Sequence, residues 1–130
     1  MIKVSCAIIK NDEGKILVAQ RSPAMRLPNK WEFPGGKLEP GETEEESLVR
    51  EIKEELDIDI QIIRSLPTYN HFDLSAPSIL FIPFECRHIS GDIVLLEHAA
   101  YKWLSLDELS AIDWAEADIH ILKDYLREAI

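Results

Sequence analysis

The chain has 130 residues, 46% apolar and 29% charged, which suits one globular domain, residues 1–130, with a single buried core. Its formal net charge of −10 disfavours free DNA or RNA as a partner, because such binding rests on basic residues facing phosphates. An acidic chain that handles polyphosphate needs cations to bridge the two. Cys6 and Cys86 form no Cys-x-x-Cys pair and read as buried free thiols of a reducing cytoplasm. The first ten residues do not read as a signal peptide, and no apolar run approaches the ~20 residues of a membrane span. A cytoplasmic protein without a membrane partner is expected. Oligomeric state has no signature in one dimension.

Val4 to Ile9 and Ile16 to Gln20 are short apolar runs around Asn11-Asp12-Glu13-Gly14, the pattern of a hairpin. Ser22 to Asn29, with Pro23 and Pro28, is a loop. Trp31-Glu32-Phe33 is a brief extended piece that stops at Pro34-Gly35-Gly36, and Pro40-Gly41 breaks the chain again. Thr43 and Glu46 then form a capping box, each satisfying the other's free backbone N–H. Leu48, Val49, Ile52 and Leu56 follow at helical spacing. Ile58 to Ile63, Ser78 to Phe84 and Tyr101 to Leu104 read as strands. Ser105 with Glu108 predicts a second, smaller capping box, and Ile119, Leu122 and Leu126 stripe a final helix. Strands and helices mix without regular βαβ alternation, so the expected fold is α/β, a mixed β-sheet covered by helices.

The helix after Thr43 carries the chemistry. Glu51 and Glu55 lie one turn apart on one face, with Glu54 beside Glu51. Glu44, Glu45 and Glu46 complement the positive end of the helix and need no further role. Mid-helix carboxylates repel one another, by a few tenths of a kcal/mol per pair, on the order of what isolated helices show. A divalent cation reverses that sign, and hard oxygen ligands select magnesium, with manganese as the alternative. Arg50, one turn before Glu54, is placed to hold it. Gly35-Gly36 just upstream lets the backbone approach an ion or ligand closely.

These residues spell a known pattern. Gly36, Glu42 and Arg50-Glu51-Ile52-Lys53-Glu54-Glu55-Leu56-Asp57-Ile58 resemble the Nudix box, with Asp57 where the family has Gly. That Gly ends the helix in a left-handed turn, which Asp tolerates moderately well. Asn29 through Lys37, Glu97-His98, Tyr101 through Ser105 and Ala115 through Ile119 resemble the MutT branch. The end of the chain is similar to bacterial members acting on cytidine nucleotides as well as oxidised purines. The resemblance implies a Nudix α/β/α sandwich with a mixed β-sheet. It implies a magnesium-dependent pyrophosphohydrolase that cuts a nucleoside triphosphate to a monophosphate and pyrophosphate. It further implies metal ligation by Glu51, Glu55 and the Gly35 carbonyl, with Glu54 in the same acidic set and Glu97 joining the metals or the attacking water. Arg21 and Lys37 match positions near the phosphates, Asp118 matches the position that reads the base edge, and Glu32, Phe33 and Gly36 belong to the substrate cleft. Among the catalytic residues Glu54 is the first candidate for the base, Glu51 and Glu97 the others, and Arg50 supports them. Asp118 also reads as the N-terminal cap of the last helix. The four histidines show no ligand spacing and read as structural or exposed. Rival expectations are a Nudix enzyme for another nucleoside diphosphate derivative, such as ADP-ribose or a dinucleotide, and a non-catalytic nucleotide sensor.

Overall fold

The computed structural model describes residues 1–74 and 76–128. Eight strands form one sheet: β1 (Ile2–Lys10), β2 (Ile16–Gln20), β3 (Trp31–Glu32), β4 (Gly35–Lys37), β5 (Asp59–Ser65), β6 (Tyr69–Asp73), β7 (Ala76–Ser90) and β8 (Ala100–Leu104). Two helices, α1 (Glu44–Leu56) and α2 (Glu116–Glu128), and a short 3-10 turn at Leu109–Ala111 complete the described elements. The order is β3-β2-β1-β7-β5, with β8 added on β2, β4 on β1 and β6 on β7. β1 and β7 run parallel, from Ile2 opposite Ile79 to Lys10 opposite Arg87, and the other pairings are antiparallel. The sheet is therefore mixed, as expected.

Alternation along β1 decides the layers, because successive side chains point to opposite faces. Ala7 and Ile9 join Leu17, Leu48, Ile52, Leu56 and Phe84 in a core under α1. Cys6 and Ile8 join Val18, Phe33, Ile121, Leu122 and Tyr125 in a second core under α2. Both faces of the sheet are thus covered, which is why β1 reads as a continuous apolar run. The result is an α/β/α sandwich.

Several elements differ from the sequence expectation for identifiable reasons. β7 extends in both directions beyond the expected Ser78 to Phe84, and β6, in Tyr69-Asn70-His71-Phe72-Asp73, was not expected because it lacks alternating apolar residues. Pro83 sits inside β7 because its side facing β5 and β6 falls in a gap. β5 ends with Ser65 opposite Phe84, β6 begins with Tyr69 opposite Phe81, and only the Pro83 carbonyl is used there, by Leu66 N–H. In α1 Val49 is exposed, so the buried face is Leu48, Ile52 and Leu56. In α2 the buried face is Ala117, Asp118, Ile121, Leu122 and Tyr125, and the expected Ile119 faces out. The Ser105–Glu108 pair does form: the Glu108 carboxylate accepts from Ser105 N–H at 2.9 Å. It closes a turn leading into the 3-10 segment rather than opening an α-helix.

The capping box of α1 is present in full. Glu46 N–H donates to Thr43 Oγ1 at 3.1 Å, and Thr43 N–H donates to Glu46 Oε1 at 2.9 Å. At the other end Asp57 takes the left-handed conformation, with φ 56° and ψ 37°, and its N–H donates to the Lys53 carbonyl. Glycine adopts that conformation without a Cβ penalty. Asp57→Gly is therefore expected to stabilise the chain modestly, by up to about 1 kcal/mol. Among the described residues the carboxylate given up pairs with Lys53 at 3.7 Å, in an exposed pair that contributes little. A shift of the urea midpoint to lower concentration in Asp57→Gly would contradict this.

Candidate active site

One cleft gathers most of the expected site residues: Arg21, Glu32, Phe33, Gly35, Gly36, Lys37, Glu55, Glu97 and Asp118 all line it. The expected position of each has a structural cause. Gly35 and Gly36 lie on β4, pressed between β1 and α1. A Cβ on Gly35 would stand 2.0 Å from the Ser5 carbonyl oxygen, and one on Gly36 would stand 2.3 Å from the Glu51 carboxyl carbon. Glycine at 35 lets β4 lie against the β1 backbone, and glycine at 36 leaves room for the Glu51 carboxylate of α1.

Glu55 is 6% exposed, on the side of α1 that faces β4. Its Oε2 is buried and has no partner among the described residues. Burial first, then repulsion from Glu51, Glu32 and Glu97, pushes its carboxyl up to about 9, against a smaller opposing contribution from a hydrogen bond with the Gly35 backbone. Burial likewise raises Glu51 above the usual carboxylate range, although Arg50 works against it. Without a compensating cation this arrangement is unfavourable, because like charges are gathered and desolvated together. The donor set fits a hard divalent ion: carboxylate oxygens from α1, Glu97 on the cleft wall, and adjacent β4 backbone. Among the described residues no three His, Cys, Asp or Glu side chains stand together closely enough to hold an ion by themselves.

Arg50 is a hub rather than a simple partner of Glu54. Its Nε and Nη2 hold both oxygens of Glu42, at 2.6 and 2.9 Å, and its Nη1 reaches Glu51 and Glu54 at 3.1 Å each. Nη2 also donates to the Lys37 carbonyl at 3.3 Å, tying β4 to the helix. The bidentate pair holds the Glu42 carboxyl down at about 2. Glu42 had no role assigned from sequence; its signal was its place in the box, eight residues before Arg50. Arg50, Glu51 and Glu54 are not among the residues lining the cleft; Glu51 reaches it only behind Gly36, and Glu54 points away. The Glu54 side chain is 57% exposed on the outer face of α1.

At the other end of the cleft Asp118 is buried, and its Oδ1 accepts from Phe33 N–H at 2.9 Å. The helix opens at Glu116, with the Asp118 N–H bonded to the Ala115 carbonyl, so Asp118 sits within the first turn rather than capping it. Burial, then the nearby Glu32 charge, pushes its carboxyl up to about 8. Phe33 is buried, its ring packed against Trp114 at 4.7 Å. Between the two ends, Glu32 takes Arg21 Nη1 on one oxygen at 2.6 Å and His98 Nε2 on the other at 2.8 Å. Arg21 Nε donates to the Arg26 carbonyl. Arg26, Leu27, His71 and Phe81 extend the wall around Asp118. His98 is buried inside the site, and its only sequence signal is adjacency to Glu97.

Residues 1–125 match the family model described as the NUDIX domain. The chain belongs to the Nudix family. It is one of that family's hydrolases, which depend on a divalent metal. It is 36% identical over 126 residues to the CTP pyrophosphohydrolase of Escherichia coli, covering 97% of this chain and 92% of that one. It is 33% identical over 127 residues to the 8-oxo-dGTP diphosphatase of the same organism, covering 90% of each. The MutT protein of Methanosarcina mazei superposes with a TM-score of 0.86 at 30% identity, covering 98% of this chain and 94% of that one. The Nudix sandwich implied by the box is therefore the observed fold. No helix among the described residues is long and apolar enough to cross a membrane.

Proposed function

We propose that this Nudix hydrolase converts nucleoside triphosphates, oxidised purine or cytidine triphosphates foremost, to the monophosphate and pyrophosphate, as a nucleotide-pool sanitation enzyme. The observation that carries this reading is a single cleft with a buried carboxyl at each end. Asp118 stands in a half-open, largely apolar lobe suited to a base, and Glu55 stands among carboxylates suited to a cation. The relatives named for CTP and 8-oxo-dGTP support the same substrate class.

Glu51, Glu55, Glu97 and the Gly35 carbonyl would hold the ion, magnesium first and manganese second. When bound, it supplies charge neutralisation at the phosphate oxygens and acidifies a coordinated water. Arg21 and Lys37, both lining the cleft, orient the phosphates. Glu97 lines the cleft and Glu54 does not, so Glu97 is the proton acceptor of this reading where Glu51, Glu55 and the Gly35 carbonyl hold the ion without it. Glu54, with Arg50, instead steadies Glu51 from the outer face of α1. Water attack at the β-phosphorus then separates monophosphate from pyrophosphate.

The base-reading part of the proposal is tested at Asp118. One of its oxygens is committed to Phe33 N–H, leaving the other for the base edge. An ionised acid accepts from amino groups, whereas the neutral acid also donates to an acceptor. Asp118→Ala is expected to change relative kcat/KM among oxidised guanine, cytosine and adenine triphosphates by about tenfold or more, with metal dependence unchanged. A common factor of loss for every substrate would mean that Asp118 only anchors Phe33.

A further inference from the structure

We propose that His98 is a positioning residue: it holds Glu32 so that Arg21 is presented to the substrate phosphates. The proposal rests on the reading of Arg21 given above. The side chain of His98 is 1% exposed, and its Nε2 lies 2.8 Å from Glu32 Oε2. A carboxylate only accepts, so the proton of this bond sits on Nε2. The other oxygen of Glu32 takes Arg21 Nη1 at 2.6 Å, and Arg21 lines both lobes of the cleft.

The geometry calls for both contacts on Glu32. The terminal torsion of a Glu side chain is broad and nearly two-fold, so one bond to a flexible arginine leaves the carboxylate plane free to turn. A second bond, from a ring locked in the core, fixes that plane and with it the direction in which Arg21 can approach. The loop carrying His98 is itself tied down on both sides. Leu96 N–H donates to the Glu55 carbonyl at 3.1 Å, and Ala99 N–H donates to the Gln20 carbonyl at 2.9 Å. Gln20 immediately precedes Arg21, so the two ends of the Arg21–Glu32–His98 chain share one anchored frame.

A purely space-filling role explains His98 poorly. Its Nδ1 is buried with no partner among the described residues, which costs stability that an apolar side chain would not incur. What an apolar side chain lacks is the donor to Glu32. The local predictions differ accordingly: a filler is improved by an apolar replacement, and a positioning residue is not.

Four variants decide it: His98→Leu, His98→Gln, whose amide keeps a donor, Arg21→Ala, and His98→Leu combined with Arg21→Ala. Two readouts are used, steady-state pyrophosphate release and the Nε–H NMR resonance of Arg21, which needs no turnover. In His98→Leu we expect no gain in melting temperature, the Arg21 resonance shifted or broadened, and kcat/KM down about tenfold. His98→Gln should regain part of that loss. The double variant should be no worse than Arg21→Ala alone, since both changes act through one contact. Multiplying losses, or an unaltered Arg21 resonance in His98→Leu, would overturn the proposal. If His98→Leu does not fold, His98→Gln decides alone, and a wild-type Arg21 resonance with tenfold lower kcat/KM would count against it. If the unaltered enzyme releases no pyrophosphate from any triphosphate, the substrate reading fails, and the resonance still decides the positioning.

Discussion

Glu55→Gln and Glu51→Gln are each expected to lower turnover at least about a hundredfold, on the order of 2.7 kcal/mol of transition-state stabilisation, without loss of the fold. Glu55 is the sharper case. Its carboxyl is buried, one oxygen has no partner among the described residues, and Glu51, Glu32 and Glu97 all repel it. Glutamine keeps the size and removes the charge that a divalent ion would need. Near-normal turnover in either variant would remove the metal assignment.

The same residue sets a pH dependence that needs no substrate. In the metal-free chain Glu55 is raised to about 9 and Asp118 to about 8, while an unfolded carboxyl releases its proton near 4. The folded chain therefore binds more protons than the unfolded one across that interval. The sign follows: the stability associated with these groups is fully present below the unfolded pKa and is lost as pH rises through about 8 to 9. With a chelator present, the melting temperature should fall between pH 5 and pH 9, and magnesium should restore most of it at the alkaline end. Glu55→Gln should flatten the slope in part, leaving the Asp118 share. A melting temperature that rises with pH in chelator would show that Glu55 is not held neutral in the folded state.

Substitutions at the two glycines should separate fold from function. Gly35→Ala sets a methyl 2.0 Å from the Ser5 carbonyl oxygen and 2.7 Å from the Cys6 Cα, both backbone atoms of a central strand. Relief requires β4 to part from β1, and a loss at or beyond the upper end of about 1–3 kcal/mol is expected. Gly36→Ala meets first the carboxyl end of Glu51, which can swing aside. That variant should melt near the wild type yet lose about tenfold or more in turnover, because Glu51 leaves its place beside Arg50 and Glu55. Calorimetry with a pyrophosphate assay checks both. Equal melting temperatures for the two variants, or full activity in Gly36→Ala, would contradict the packing described.

What the sequence by itself determined is whatever depends on neighbours a few residues apart. The Thr43–Glu46 capping box, the left-handed Asp57, the β1–β2 hairpin and the acidic row of α1 all follow from local hydrogen bonding and helical spacing. The box also identified Gly36 before its reason was visible, since nothing local shows that a Cβ there would strike Glu51. Tertiary structure alone decided burial and the partners of polar groups. Asp118 reads locally as a helix cap, yet its carboxylate pairs with Phe33, 85 residues away. His98 pairs with Glu32 across 66 residues, and neither position announces the other. Glu54 and Glu55 are adjacent and chemically identical in sequence, but one faces solvent and the other lies under β4. A helix turns about 100° per residue, so the path of the neighbouring strand selects which carboxylate loses its water. That selection, by raising the cost of charge at Glu55, makes one of several glutamates the strongest candidate for a metal ligand.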